Sequence, residues 1–476
     1  MGNDGGPTWA PITPGVELWT EFRAMTFARG SLDLFHDPVP APIDGLRLPG
    51  EEVAFGRWHG RAEQVTRYGE WLRVKVAGRV DAETSFDADL NHVIRRFEPT
   101  LWDTQADLFL PNLDIRFGNQ ILAWGTADMI SPNDVINPRD LRRGVLDRPD
   151  ELRIPLLALT SRFYQGPVSL TLVWIPKPKN DRIDLLHTDQ AILGPRGTTP
   201  LDRRVGAILS SLEDDPVAGQ VLEPILGFDE DPEYGFRDGE IGASAALRLR
   251  GADFLGYFFW GHERTRSFEL ASELRHLLAL LPAEDLMPEI LTEQVGGLVL
   301  AGIELGSFEQ RRRLHLGGAI ATRIEPLGLK LDIGYGVNEG VTLVPPERGV
   351  LFGEMHELNV LGATLSVDYD LGAEFMLVVE GHHSRVCGVP ENRRVFQFDG
   401  DQVSVLATRA EIDPFGWPVS LSLLAFLELA ADPSYGSRPA VRWSRGDRLS
   451  IEINALVLSG RHRRDSQVQF TIEYGI

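Results

Sequence analysis

At 476 residues the chain is long enough for two or three ordinary domains, or for one large β-barrel. With 43% apolar and 24% charged residues it is excluded from the disordered class, and a net charge of -22 argues against a nucleic-acid partner. A single cysteine, Cys387, excludes a disulfide framework and a cysteine-based metal knuckle.

The opening "MGNDGGPTWAP", in a lead-in of residues 1–14, has neither a basic n-region nor an apolar h-region. A cell-envelope protein with this opening is expected to be a mature or recombinant form, with Met1 added. No stretch reaches the roughly 18 consecutive apolar residues of a membrane-spanning helix. From residue 15 to 476 the dominant signal is instead period-2 alternation, expected to form one domain. Strands are predicted near 15–28, 52–66, 68–84, 100–111, 113–125, 154–165, 167–178, 239–250 and 252–267. They continue near 309–325, 328–338, 356–370, 372–386, 397–412, 417–429, 437–445, 447–460 and 465–476. "LKLDIGYGV" shows the pattern: Leu329, Leu331, Ile333, Tyr335 and Val337 on one face, Lys330, Asp332, Gly334 and Gly336 on the other.

Soluble sandwiches also alternate, but these segments run about ten residues or more, the length of a tilted spanning strand. Tight turns at "QGP", "RGAD", "EPLG", "DLGAE", "DPFG" and "RGDR" interleave with long links at 126–153, 179–238, 269–308 and 339–355. Short periplasmic turns with long extracellular loops are the rhythm of an outer-membrane β-barrel, which should also have an even strand number. The fold expected is therefore all-β, a transmembrane antiparallel barrel of eighteen strands, with sixteen the other count. With both termini periplasmic, the tight turns fall on the periplasmic rim, the last hairpin's excepted.

The apolar faces would meet lipid and the polar faces would line a lumen. The pore-lining candidates are Arg73, Lys75, Arg116, Gln120, Arg248, Arg250, Arg311, Arg313, Arg323, Asp332, Glu374, Glu380 and Glu452. Five of them, Arg248, Arg250, Arg311, Arg313 and Arg323, fall on adjacent strands as a basic strip that could guide an anionic solute. The alternative is that they pair with Asp332, Glu374 and Glu380 to fill the lumen.

Two loop segments, 199–214 and 268–287, carry helical apolar spacing; they could fold inward or cap the mouth, but short helices packed on the loops are the blander account. Asp229, Asp231 and Glu233 offer hard oxygen ligands for loop-bound calcium or magnesium, but a solvated acidic loop is the blander account and no resident cofactor is expected. His382 and His383 with Glu380 could hold a metal, although polar residues are ordinary at a strand's outer end. G-x-S-x-G, H-E-x-x-H and phosphate-binding glycine loops are absent from the sequence, so no enzymatic step is expected. The end "QVQFTIEYGI" alternates Val468, Phe470, Ile472, Tyr474 and Ile476 with polar residues to its last position. A chain end is held in this way if the final strand pairs with the first and closes the wall.

One stretch is more specific. "LDIRFGNQILAWGTADMISPNDVINPRDLRR" contains G-x-Q-x-x-x-W-G (Gly118, Gln120, Trp124, Gly125), then Asp134, then N-P-x-D (Asn137, Pro138, Asp140). Arg116, Gln120 and Trp124 fall on the luminal face, Gly118 leaves room for a neighbouring side chain, and Asp134 and Asp140 can cap loop backbone. Their role would be to fix a loop against the inner wall. The motif, with "WIPKPKND" beyond it, resembles a group of proteobacterial outer-membrane β-barrel proteins; the whole is more loosely similar to the alginate-export type of 18-stranded channel. The final strand resembles the signal by which barrel-insertion machinery recognises its substrates, although it closes on Ile476 rather than Phe. The resemblance implies residence in outer-membrane lipid of a diderm bacterium and a passive channel for polar or anionic solutes. Export of a polysaccharide, or a plugged barrel serving structure or adhesion, are the other functions the pattern admits. Oligomeric state is not legible.

Overall fold

The computed structural model describes residues 8–13, 16–33, 52–87, 93–142, 152–183, 236–280, 306–345, 352–370, 375–396, 398, 400–413, 418–430, 433–446, 449–459 and 467–475. The wall begins with β1 (Val16–Asp33), β2 (Glu52–Tyr68), β3 (Leu72–Asp87), β4 (Val93–Leu101, resuming at Gln105–Leu110), β5 (Leu113–Gln120) and β6 (Leu156–Gln165). It continues through β7 (Val168–Ile175), β8 (Glu240–Leu249), β9 (Ala252–His262), β10 (Arg312–Ile324), β11 (Leu327–Val344) and β12 (Glu354–Asp370). The last six are β13 (Phe375–Cys387), β14 (Gln402–Ile412), β15 (Val419–Glu428), β16 (Tyr435–Arg445), β17 (Leu449–Ser459) and β18 (Gln467–Gly475).

Each of these eighteen strands pairs antiparallel with the next, and β18 returns to β1 from Met25↔Gly475 to Asp33↔Gln467. The sheet is closed, so the chain's last ordered pattern is held by a neighbour on either side. Thr8–Thr13, in the expected lead-in, is a further short strand on the same edge of β1, from Thr8↔Thr20 to Thr13↔Val16.

The even-to-odd connections form one rim of tight turns. Two of them turn on Gly69 (φ 56°) and Gly166 (φ 57°), a left-handed conformation that costs glycine little. The Arg445–Gly446 turn lies on this rim with the rest, since it joins β16 to β17. Outward positions are apolar and exposed: Leu170, Leu172, Phe254, Phe258, Leu331, Ile333, Leu361, Leu365, Ile453 and Phe470 among them. Trp174, Ile241, Trp260 and Leu314 stand side by side on four adjacent strands near the open rim, the place of an interfacial aromatic belt. No described helix is long and apolar enough to cross a membrane.

Several boundaries differ from the predicted ones for local reasons. β4 starts earlier than expected and breaks at Trp102–Thr104, where Thr104 Oγ1 accepts from Ala77 N (2.9 Å) and donates to Ala77 O (3.0 Å), standing in for the interrupted ladder. Opposite the break, Gly118 (φ 137°) admits the Thr104–Gln105 backbone, which a Cβ would strike. Its room is thus mainly for backbone, with the Gln105 Cβ close beside it. β11 runs to Val344 through a bulge at Val337–Asn338, so the link expected to start at residue 339 starts after it. In the loop after β9, Ser267–Leu270 pairs with Gly306–Glu309, and the described helix α1 (Ser272–Leu280) lies within the predicted 268–287, of which 281–287 are outside the described residues. The predicted helix at 199–214 lies outside the described residues.

Candidate functional site

β5 ends at Gln120, earlier than its alternation suggests, because the Asn137 side chain takes the place of a neighbouring strand. Its Oδ1 accepts from Leu122 N (2.6 Å), and its Nδ2 donates to Ile154 O (2.8 Å) and Gln120 O (3.3 Å). Those bonds tie the two ends of the intervening segment together, giving a compact loop of the Ω kind. The loop does not leave the barrel. Trp124 is buried, stacks on Tyr257 of β9 (ring centroids 5.3 Å apart) and lies over Gly242 of β8, where a Cβ would come within 2.9 Å of the ring. Around it Ile136, Leu156, Val173, Ile175 and Phe259 make an apolar core on the inner wall, under the loop.

Beyond Trp124 the loop reaches β11 and β13. Asp332 accepts from Thr126 N (2.9 Å), Thr126 Oγ1 (2.5 Å), Ala127 N (3.2 Å) and Ser131 Oγ (2.6 Å). Glu380 accepts from three successive amides, Asp128 N (2.6 Å), Met129 N (3.0 Å) and Ile130 N (2.9 Å). Charge-assisted bonds of this kind are the strong class. Lys330 Nζ then meets the loop at Asp128 (2.5 Å). The inner wall from β6 to β13 is therefore sheathed by its own loop, which narrows the lumen from one side.

This placement corrects several expectations. Asp332, Glu380 and Gln120 are fully buried beneath the loop rather than lining open space. Gln120 instead donates to Ala158 O (2.7 Å) and accepts from Thr160 (2.9 Å). Neither Asp332 nor Glu380 pairs with the arginines of the basic strip. Trp124 faces the inside of the barrel, as its place in the alternation predicts. Asp134 and Asp140 hold arginines more than backbone: Asp134 binds Arg139 (3.0 Å) and Arg153 (2.8 Å), and Asp140 binds Arg142 (2.6 Å). Pro138 is buried, its carbonyl accepting from Ile154 N (2.8 Å).

The basic strip is divided by the strand register. Arg248, Arg250 and Arg323 stand at the tight-turn rim, where Ala252 faces Thr322. Arg311 and Arg313 stand at the opposite end of β10, paired with Glu357 (2.7 Å) and Glu339 (2.9 Å). Arg323 meets Asp370 at 3.4 Å on an exposed face, whereas Arg248 and Arg250 make no ion pair among the described residues. Elsewhere Arg73 (2.7 Å) and Arg116 (2.5 Å) bracket Asp107, Lys75 meets Asp103 (2.6 Å), and Glu452 takes Arg438 (3.2 Å). Glu374, Ile476, Asp229, Asp231 and Glu233 lie outside the described residues. His382 and His383 point to opposite faces of β13, to Thr364 (2.8 Å) and Ser404 (2.8 Å), so with Glu380 occupied the three cannot converge on a metal. Among the described residues no group of three His, Cys, Asp or Glu is placed to hold one. On the final strand Phe470, Ile472 and Tyr474 face outward and exposed; of Val468 the described fact is its pairing with Leu32 and Ala455.

Sequence inspection missed Arg57, His59 and Arg61 on β2, Arg79 and Asp81 on β3, and Arg162 on β6. The signal was present: "RWHGRAE" and "RVKVAGRVDAE" carry charge at every second residue, or every fourth. Arg79 bridges Asp81 (2.7 Å) and lies over the Trp102 ring (4.3 Å). Arg162, exposed beside Thr171 (3.1 Å), joins Arg248 and Arg250 at the tight-turn end of the lumen.

At the open rim "WIPKPKND" pins the loop's return. Asp181 accepts from Arg139 N (2.7 Å) and Thr265 Oγ1 (2.6 Å), and Arg142 spans Asp140 and Glu98 (2.9 Å). Burial pushes the Asp181 carboxyl up despite these donors. For Asp140 burial acts the same way, but Arg142 outweighs it and holds the carboxyl below its usual range. Glu263, just beyond β9, is pushed up to about 7 by burial and by Glu339, with the Gly340 amide, Arg313 and Arg311 opposing. A carboxyl raised in this way favours the folded mouth while it is protonated. That contribution is complete below about pH 4.5 and is lost as pH rises toward 7, on the order of 3 kcal/mol in all. The loop after β9 is expected to resist proteolysis better at pH 5 than at pH 8, and Glu263→Gln should reduce the difference, leaving what the raised Asp181 contributes through Thr265. Equal pH dependence in that variant would remove Glu263 as the cause.

No protein-family model matches the chain, and no curated protein matches it. Solved structures do align with it over nearly their full length. Pseudomonas aeruginosa OpdK, crystallised with vanillate, has 8% identity and a TM-score of 0.46, with 96% of this chain and 98% of that one covered. Pseudomonas aeruginosa OccK5 (OpdH) gives 8% and 0.46, covering 96% and 98%. Acinetobacter baumannii OccAB4 gives 7% and 0.46 over the same shares.

Proposed function

We propose that the chain is a passive channel in the outer membrane of a diderm bacterium, admitting small polar or anionic solutes. The observation that carries this reading is the closed eighteen-stranded wall with apolar side chains outside and charged ones inside. Barrels of 16–18 strands leave an aqueous lumen, and a lumen lined with fixed charges selects by width and field. A wall loop that narrows the lumen favours small solutes over a polysaccharide. The anion preference rests on Arg162, Arg248 and Arg250 at the tight-turn mouth, of which Arg248 and Arg250 have no ion partner among the described residues. Outer-membrane lipid would meet the apolar faces, and the alternation Val468, Phe470, Ile472, Tyr474, Ile476 would serve the insertion machinery.

Purified protein in planar bilayers is expected to give discrete conductance steps with anions more permeant than cations. Arg162→Glu with Arg248→Glu should shift the reversal potential toward cations. A trace closed at every voltage would favour a plugged structural barrel, and unchanged selectivity would remove the arginine mouth from the account.

A further inference from the structure

Gly317, Gly334 and Gly362 face one another in register on β10, β11 and β12. The loop occupies the trough that this row leaves. A Cβ on Gly334 would lie 3.0 Å from Pro132 O, one on Gly362 would lie 2.8 Å from Pro132 Cβ, and one on Gly317 would overlap the Asn133 side chain. Asn133 also bonds His315 (3.2 Å) and Gly318 O (3.2 Å). Beside the trough stand Asp332 and Glu380, which between them accept seven donors from Thr126 to Ser131. We propose that Asp332, Glu380 and the glycine row are positioning residues that set the channel's aperture. Buried beneath the loop they touch no solute, and they act by seating residues 123–136 in the wall.

The physical reason is a division of labour within the loop. Its neck is closed by Asn137 on β5 and on the chain entering β6, independently of β11 and β13. Its body has no ladder of its own to satisfy its amides, so the two carboxylates do so. With them gone the body loses its seat while the neck and the wall's ladders keep their bonds. Filling the trough with a side chain would have the same effect from the other direction. The proposal rests on the channel reading for its consequence but not for its geometry.

The test uses the full chain carrying Cys387→Ser, with Asp332→Ala plus Glu380→Ala as one variant and Gly362→Val as another. Both are expected to retain the heat-modifiable migration of a closed barrel and to raise single-channel conductance roughly two-fold or more, as a wider aperture should. Adding Asp128→Cys with Lys330→Cys, the pair whose longer native side chains meet at 2.5 Å, and bridging the two thiols with a short bis-methanethiosulfonate spacer should bring conductance back to the wild-type level, and reduction should release it. Asp332→Asn plus Glu380→Gln, which keeps acceptors, should fall between. A folded variant with unchanged conductance would overturn the proposal. So would failure of both variants to form a barrel, since the residues would then serve the wall itself. If the wild type does not conduct, the channel reading fails. The seating is then read by cross-linking, which should slow in the anchor variants; an unchanged rate overturns it.

Discussion

Replacing Arg264 by alanine is expected to destabilise the barrel's open rim by about 3–5 kcal/mol, the cost of stranding a buried charge. Glu240 is fully buried, and Arg264 binds both its oxygens, at 3.0 and 2.7 Å, while His262 N supplies a third donor at 2.8 Å. The guanidinium also lies over the Phe259 ring, 5.4 Å from its centroid. Gly261 is fitted to this cluster, since a Cβ there would meet both Phe259 and Glu240. Removing both charges together, as Glu240→Gln with Arg264→Met, should cost far less, because no unpaired ion remains. Urea midpoints followed by tryptophan fluorescence would separate the two. A single variant no worse than the double would show that the pair is screened by water.

The second large effect is expected at the loop's neck. Asn137→Ala deletes bonds to Leu122 N, Gln120 O and Ile154 O at a buried position, leaving backbone groups that no neighbour replaces. A cost of about 2–4 kcal/mol follows from orphaning buried polar groups, each worth about 1–3 kcal/mol. Asn137→Asp should fail to rescue, because a carboxylate accepts from Leu122 N but has no proton for the two carbonyls. Proteolysis of residues 121–142 in the otherwise folded barrel measures the effect. Protection equal to the wild type in either variant would assign the neck to other contacts.

Most of the wall could be read from the sequence, because a strand's side chains alternate with period two. "LKLDIGYGV" declares its two faces without knowing its neighbours. Where prediction strayed, a side chain from far away had intervened. β5 stops at Gln120 because Asn137 competes for its edge, and β4 breaks where Thr104 bonds Ala77. Neither substitution changes hydropathy, so neither disturbs the pattern.

The luminal face was legible only as a face. Alternation gave Asp332 and Glu380 the inward side correctly, but not their surroundings. The Thr126–Asp332 bonds join residues 206 apart in sequence. Likewise the five arginines of the basic strip share an inward side, yet register sets Arg248 and Arg323 at one rim and Arg311 and Arg313 at the other.

Local covalent geometry thus determined the strands, their two faces and an even count that allows closure. Tertiary structure alone decided which inward charges meet water, which hold a loop and which meet each other. That choice depends on backbone amides and partners brought together across the lumen, and no period in the chain encodes their distance.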